Sequence, residues 1–290
     1  MTNKMITLLQ GDSRLVLKTL EDKSVDCVIT SPPYFGLRDY GTDEQIGLEE
    51  TPKAFIANLM DVFNEIWRVL KDEGTIWVNL GDSYASDTKG SGGPSKKQLS
   101  NPGSRYEVRK FNHGVKQKDL LGIPWMFAFA LRDRGWYLRQ DIIWHKPNAM
   151  PESVRDRCAK AHEYLFLLSK SERYYFNQEA IKEDTETKGS KRTKKSVWTI
   201  PVQPFHGEHP ATYPDQLAYY CVSAGCPEHG TVLDPFFGSG TTGAVCRELN
   251  RKCIGIDLNP KYLKTAEMRT SGIKKKCEII SSQINYENLF

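Results

Sequence analysis

Three short stretches of this 290-residue chain carry residues that could do chemistry: "TSPPY" at 30–34, "DPFFGSGTT" at 234–242 and the acid that ends "GID" at 255–257. In the first, each proline fixes its own φ and drives the residue before it into an extended conformation, so Ser31, Pro32 and Pro33 make a stiff arm. Such an arm cannot pair as a strand interior. Its carbonyls and the Ser31 hydroxyl stay available as acceptors, and Tyr34 ends it with a flat aromatic face. Two acceptors beneath an aromatic plate suit an exocyclic amine on a planar base. That amine is a weak nucleophile because its lone pair is delocalised into the ring. Ser31 Oγ and the Pro32 carbonyl, each accepting one N–H, would orient the nitrogen and offset the positive charge that develops on it.

The second stretch reads as strand, glycine turn and helix, with GxGxxG spelled by Gly238, Gly240 and Gly243. Asp257 ends the next strand and is spaced to accept hydrogen bonds from ribose hydroxyls. In a dinucleotide site the pyrophosphate rests on the helix N-terminus, and a carboxylate beside it repels the phosphates. Asp234 stands at that strand end, ahead of a rigid Pro235. This charge favours S-adenosylmethionine, which has no phosphate and offers a cationic ammonium and sulfonium, over NAD. A glycine turn used only for packing remains the plain alternative.

These residues need elements to hold them. Apolar and period-2 runs at 5–10, 25–30, 75–80, 136–145, 163–169, 231–234 and 253–257 predict seven strands, several too apolar to have a wet face. Helix-period segments lie between them, which predicts a doubly wound, mostly parallel α/β sheet. "TPKAFIANLMDVFNEIWRVL" has Thr51 as N-cap, Pro52 at the first helical position, and Phe55, Leu59, Val62, Phe63, Ile66 and Leu70 on one stripe. Further helices are expected within 119–135, ending at Gly135, and from about Pro214 to Gly225. The glycine unit normally opens such a domain, yet here only about thirty residues follow the second of its strands. A circular permutation resolves this, with 231–234 and 253–257 as the first two strands and the N-terminal "MITLLQGD" as the third. Asp12 would then face the same crevice as Asp234 and Asp257; capping the helix that follows is its alternative role.

Composition is that of an ordinary globular protein, with 39% hydrophobic, 26% charged and 11% aromatic residues. The net charge of +4 is too small to identify a polyanion partner, but its distribution is uneven. Residues 85–119, rich in Gly, Ser, Pro and Lys, carry eight Lys or Arg against three Asp or Glu, a surplus larger than that of the whole chain. A second basic run, "KGSKRTKK", spans 188–195. Long stretches of this kind are functional or merely solvated. The seven cysteines lack CxxC spacing, so buried free thiols are expected rather than disulfides or a zinc ribbon. Cys221, Cys226 and His229 lack a second ligand pair, and no metal is expected. No apolar run of membrane-spanning length and no signal segment is present, so a soluble cytoplasmic protein is expected.

Taken together, "TSPPY", "DPFFGSGTT", "GIDLNP" and "GDS" at 11–13 resemble the amino-group DNA methyltransferases of the permuted, β-type arrangement, in which an (S/D/N)PP(Y/F) motif precedes an FxGxG motif. The blocks "GTIWVNLGDSY", "DIIWHKPNAMPES" and "HEYLFLLSKS" extend the likeness over nearly the whole chain. The resemblance implies a circularly permuted Rossmann-like methyltransferase fold, forming one catalytic domain over 1–290. It implies methyl transfer from S-adenosylmethionine to a base flipped out of double-stranded DNA. Ser31, Pro32, Pro33 and Tyr34 would be catalytic. Asp12, Thr30, Asp234, Pro235, Phe236, Phe237, Gly238, Gly240, Thr241, Thr242, Asp257 and Leu258 would hold the cofactor. A serine at the first motif position is associated mainly with cytosine N4, leaving adenine N6 as the alternative and an RNA methyltransferase or nucleotide-binding oxidoreductase as remoter ones. A cytosine-C5 enzyme is disfavoured, because no Pro-Cys nucleophile occurs and Cys226 precedes its proline. Insertions at 85–119 and 172–210 are expected to recognise DNA, through Lys96, Lys97, Arg105, Arg109, Lys110, Lys191 and Arg192, with Arg38 beside the arm as a phosphate contact. Trp144, His145 and Lys146 at a strand end are candidates to line the base pocket. A companion restriction endonuclease is implied by the family alone, and the oligomeric state is open between monomer and dimer.

Overall fold

The computed structural model describes residues 5–37, 42, 44–85, 114–185, 187, 189–203 and 213–271, and the backbone of 279–280. Each of the seven expected strands forms. They are β1 (Ile6–Gln10), β2 (Val25–Thr30), β3 (Leu70–Leu80), β4 (Tyr137–His145), β5 (His162–Ser169), β9 (Thr231–Asp234) and β10 (Lys252–Asp257). Four short strands add to them: β6 (Glu183–Asp184), β7 (Lys191–Arg192), β8 (Val197–Thr199) and β11 (Ile279–Ile280). The helices are α1 (Ser13–Val16), α2 (Pro52–Val69), α3 (Ile123–Asp133), α4 (Asp215–Gly225), α5 (Thr241–Glu248) and α6 (Pro260–Thr270).

The main sheet runs β11-β1-β10-β9-β2-β3-β5-β4-β8. All neighbours are parallel except the two pairs made by β5. The N-terminal strand β1 thus lies beside β10, and β10 beside β9, as the permutation requires. Chain order reverses between β9 and β2, and at such a switch point the loops leave in opposite directions and open a crevice above the strand ends.

Helices cover both faces. One core joins α2 and α3 to the sheet through Phe55, Leu59, Phe63, Ile66 and Phe127, and Phe63 meets Phe127 edge-on at 4.8 Å. The other packs α4, α5 and α6 through Leu217, Val222, Val245, Leu263 and Ala266. Each such Val, Leu, Ile or Phe side chain taken fully out of water contributes about 1.5–3 kcal/mol of burial. Sequence periodicity located α2 well: Thr51 Oγ1 accepts from Ala54 N at 3.1 Å, Pro52 follows, and the expected apolar stripe is buried. Leu70 belongs instead to the start of β3, which begins earlier than expected because Val25 pairs with Leu70 across a register shift. Gly135 ends α3 with φ of 101°, as its C′ placement predicts.

The second expected insertion differs from a solvated loop. Ile181, Trp198 and Ile200 are buried, and β8 pairs with β4, so the apolar residues within 172–203 extend the sheet. The basic run closes a β6–β7 hairpin in which Arg192 pairs with Glu183 at 3.0 Å and Lys191 is exposed. The first insertion leaves and returns at one point. Ala85 N donates to Asp119 O and Lys118 N to Ala85 O, both at 2.8 Å, and Tyr84 bridges Leu120. Lys96, Lys97, Arg105, Arg109 and Lys110, like Arg38, lie outside the described residues. Among the described residues, no helix is long and apolar enough to cross a membrane, and no three His, Cys, Asp or Glu side chains gather to hold a metal. Cys221 and Cys226 are buried in the core, and burial pushes the Cys226 thiol up to about 12. His229 turns away in a left-handed turn, its ring beside Asn250.

Candidate functional site

The strand ends at the switch point open into a cavity of about 660 Å³, within the range of small-molecule and cofactor pockets. Two groups of residues form its walls. One holds Asp12, Pro235, Phe236, Phe237, Gly238, Thr241, Asp257 and Leu258, and the other Ser31, Pro32, Pro33 and Tyr34. Residues from distant parts of the chain meet because β9, β10, β1 and β2 are neighbours in the sheet. Within the first wall Ser13 Oγ donates to the Pro235 carbonyl, and behind the two walls Thr30 Oγ1 donates to Asp234 Oδ1 at 2.8 Å.

Asp257 sits at the end of β10, where Oδ2 accepts from Gly238 N at 2.7 Å and Oδ1 from Asn259 N at 2.8 Å. Burial raises its pKa to about 6, with these two N–H donors opposing the rise. Each carboxylate oxygen keeps a further lone pair for a ligand. The glycines shape this wall. Gly240 takes φ of 84°, and a Cβ there would lie 2.9 Å from Ala266 on α6. At Gly255 a Cβ would lie 2.5 Å from the Phe237 ring, so that phenylalanine is chiefly a packing residue, 3% exposed, while Phe236 is the more open ring.

Asp234 lies behind the wall rather than on it. Its carboxylate accepts from Thr30 Oγ1 at 2.8 Å, Phe236 N at 3.2 Å, Tyr213 Oη at 3.2 Å and Thr242 Oγ1. Burial pushes its pKa up against these donors. Asp234, Thr30 and Thr242 therefore brace the turn, and the acids on the cavity surface beside it are Asp12, Glu44 and Asp257. Asp12 combines both roles considered for it. It accepts from Arg14 N at 2.8 Å as the N-cap of α1 and pairs with the Arg14 guanidinium, yet still lines the cavity.

Around the arm lie residues that the motifs alone did not reveal. Tyr34 Oη donates to Glu163 Oε2 at 2.7 Å, Asn79 Nδ2 donates to the same oxygen at 3.1 Å, and Lys146 Nζ pairs with Glu163 Oε1. Lys146 also sits 4.2 Å above the Trp144 ring, while His145 turns to Thr199. Asp82 caps α3, accepting from Gly122 N and Ile123 N at 3.1 Å each, and its carbonyl accepts from Lys160 Nζ at 2.8 Å. Burial lowers the pKa of Lys160 and of His162. Of the strand-end candidates Trp144 and Lys146 do line the cavity; for Asn79, Asp82 and Glu163 the available signal was likewise position, each lying at the end of β3 or β5 that borders the crevice.

A permuted, doubly wound sheet with an acidic glycine turn facing a proline-stiffened acceptor arm defines a Rossmann-like methyltransferase. The DNA methylase family model, which covers the N6 and N4 amino-methyltransferases, matches residues 25–268. The chain belongs to this family of S-adenosylmethionine-dependent DNA methyltransferases. It is 51% identical over 267 residues to the type II methyltransferase M.Cfr9I of Citrobacter freundii, covering 92% of this chain and 88% of that protein. With M.SmaI of Serratia marcescens it shares 49% identity over 264 residues, covering 90% and 89%. Among solved structures, the fold is similar to the cytosine-N4-specific PvuII DNA methyltransferase, with a TM-score of 0.69, 20% identity and coverage of 92% and 87%. It is also similar to a Thermus thermophilus DNA modification methylase complexed with S-adenosyl-L-methionine, with a TM-score of 0.62, 24% identity and coverage of 91% and 93%.

Proposed function

We propose that the chain methylates the exocyclic amine of a base turned out of double-stranded DNA, with cytosine N4 as the target. One observation carries this reading: the Ser31–Pro33 arm and the Gly238–Asp257 turn open into a single cavity. The donor set at the turn suits S-adenosylmethionine. The acids lining the cavity beside it are Glu44, Asp257 and Asp12, the last paired with Arg14, whereas the lining cations lie beside the arm, Lys146 paired with Glu163 and Lys160 donating to the Asp82 carbonyl. Such a wall favours a cationic ligand and repels a pyrophosphate.

When bound, the cofactor supplies an electrophilic methyl group. Asp257 would accept from its ribose hydroxyls, and Phe236 would offer it an apolar face. Ser31 Oγ and the Pro32 carbonyl take the two N–H groups of the target amine, and these bonds strengthen as positive charge develops on nitrogen. A paired base keeps its amine inside the duplex, so it must be extruded before it can be aligned. Stacking on Tyr34 repays part of that cost, at about 1–3 kcal/mol per base.

Serine at position 31 is what favours cytosine. The cytosine-N4 specificity of the structurally similar PvuII enzyme agrees with this choice. Digesting methylated DNA to nucleosides and weighing the modified base is expected to yield N4-methylcytosine. N6-methyladenine would redirect the assignment, and 5-methylcytosine alone, or no methylation, would overturn the function.

The chain is read as one catalytic domain with two DNA-recognition insertions, at 85–119 and 172–210. The first emerges next to Asp82, at the cavity, and carries a basic surplus larger than that of the whole chain. Neutralising Lys96, Lys97, Arg105, Arg109 and Lys110 is expected to flatten the dependence of log K on log salt by about 0.9 per lost phosphate contact. An unchanged slope would exclude a phosphate-contact role. Lys191 is the second insertion's phosphate candidate, and Arg192 must first release Glu183. The type II methyltransferases to which the chain is similar support a site-specific enzyme accompanied by a restriction endonuclease.

A further inference from the structure

We propose that Glu163 is a positioning residue for the arm, acting through the Tyr34 hydroxyl and not on the base itself. This rests on the reading of Tyr34 as the plate for an extruded base. Its warrant is the convergence of three donors on one shielded carboxylate. Tyr34 comes from the arm after β2, Asn79 from β3, Lys146 from the end of β4, and Glu163 itself from β5. The Lys146 and Glu163 side chains are only 17% and 15% exposed, so their pairing is poorly screened by water. Lys146 is in turn held over Trp144, which is 3% exposed. Glu163 therefore has a fixed counter-charge and a fixed place.

The Tyr34 ring is held at two points. Its hydroxyl donates to Glu163 Oε2 at 2.7 Å, whereas the Asn79 carbonyl oxygen is a longer contact at 3.4 Å. Its edge lies against the backbone at Gly81, where a Cβ would come within 2.7 Å of Tyr34 Cε2. Glycine at 81 lets the ring lie down, and Glu163 keeps it there. A flat surface fixed this way sets the height and tilt at which a stacked base presents its amine to Ser31 and Pro32. Reaction rates are steep in such geometry, since a displacement of about 1 Å can cost on the order of a hundredfold.

The test compares Tyr34→Phe, which keeps the ring and removes only the donor, with Glu163→Ala, which removes the acceptor. Each is expected to lower kcat by about ten- to a hundredfold while leaving the S-adenosylmethionine dissociation constant unchanged. Because both cut the same link, the double variant should be no slower than the slower single variant. Glu163→Gln, which keeps an acceptor oxygen, should recover part of the rate. With 3-fluorotyrosine incorporated, Glu163→Ala should shift and broaden the fluorine resonance of Tyr34 and spare those of distant tyrosines. Full kcat in Tyr34→Phe, losses that multiply in the double variant, or an unmoved Tyr34 resonance would each overturn the proposal. The resonance reads the anchor without turnover, so absence of methyl transfer by the wild-type protein would sink the proposed function while leaving the anchor to be judged separately.

Discussion

Ser31→Ala is expected to lower kcat by about 10²–10³-fold with little change in cofactor affinity, the scale seen when one preorganised polar group is removed from a developing charge. The serine stands on the cavity wall between Thr30, whose hydroxyl is bonded to the buried Asp234, and the two prolines. Alanine leaves that frame intact, because φ at Pro32 and Pro33 is fixed by the rings and not by the side chain before them. What disappears is one acceptor for an amine N–H. In the ground state the amine is planar and nearly neutral, and the Pro32 carbonyl and Tyr34 still hold the base. As nitrogen turns tetrahedral and cationic the missing acceptor matters most, so the loss belongs to kcat and not to KM. Steady-state kinetics with a separate cofactor titration check this. A variant with intact kcat and weakened cofactor binding would reassign Ser31 to the other wall.

The second large effect is expected at Asp257. Asp257→Ala should weaken S-adenosylmethionine binding by about a hundredfold, since hydrogen bonds to a charged group contribute about 1.5–3 kcal/mol each. Turnover at saturating cofactor should be much less affected. Part of the loss is indirect, because the carboxylate also accepts from Gly238 N and Asn259 N and so shapes the turn. The wild-type protein offers a test without mutation. Burial holds the Asp257 pKa at about 6. Ribose hydroxyls donating to the carboxylate favour its ionised form, so binding lowers that pKa and releases a proton near pH 6. Affinity should therefore be flat above about pH 7 and fall as pH drops through 6, approaching tenfold per pH unit at the steepest. Calorimetric titration across pH 5–8 measures it. An affinity independent of pH over that range, or one that rises on acidification, would remove Asp257 from the ribose contact.

Some of this was open to reading from the residues in order. Strands β1, β2, β9 and β10 and helix α2 are specified by local apolar periodicity and by end signals such as Thr51-Pro52, which act within a turn or two of the chain. The stiffness of "SPPY" and the tight turn of "GSG" are properties of proline and glycine themselves. The permutation was legible too, because the glycine unit comes after the other predicted strands in chain order, and β1 does pair with β10 and β10 with β9. Contacts between distant residues did not follow. The motif acid Asp234 is bonded on four sides and sits behind the cavity wall, a result of Thr30, Tyr213 and Thr242 arriving from three other segments. Residues 172–203 looked polar enough for a loop, yet Trp198 and Ile200 find cover only once β4 is beside them. Tyr34 looked like a free plate; its anchor on Glu163 required β5 to run antiparallel between β3 and β4, bringing Asn79, Lys146 and Glu163 together. By itself the sequence determined which groups this protein has for handling an amine and a cofactor, because backbone stiffness and side-chain chemistry are local. The tertiary structure decided which of those groups face the cavity and which hold the others still, because desolvation and charge pairing depend on neighbours brought in from elsewhere in the chain.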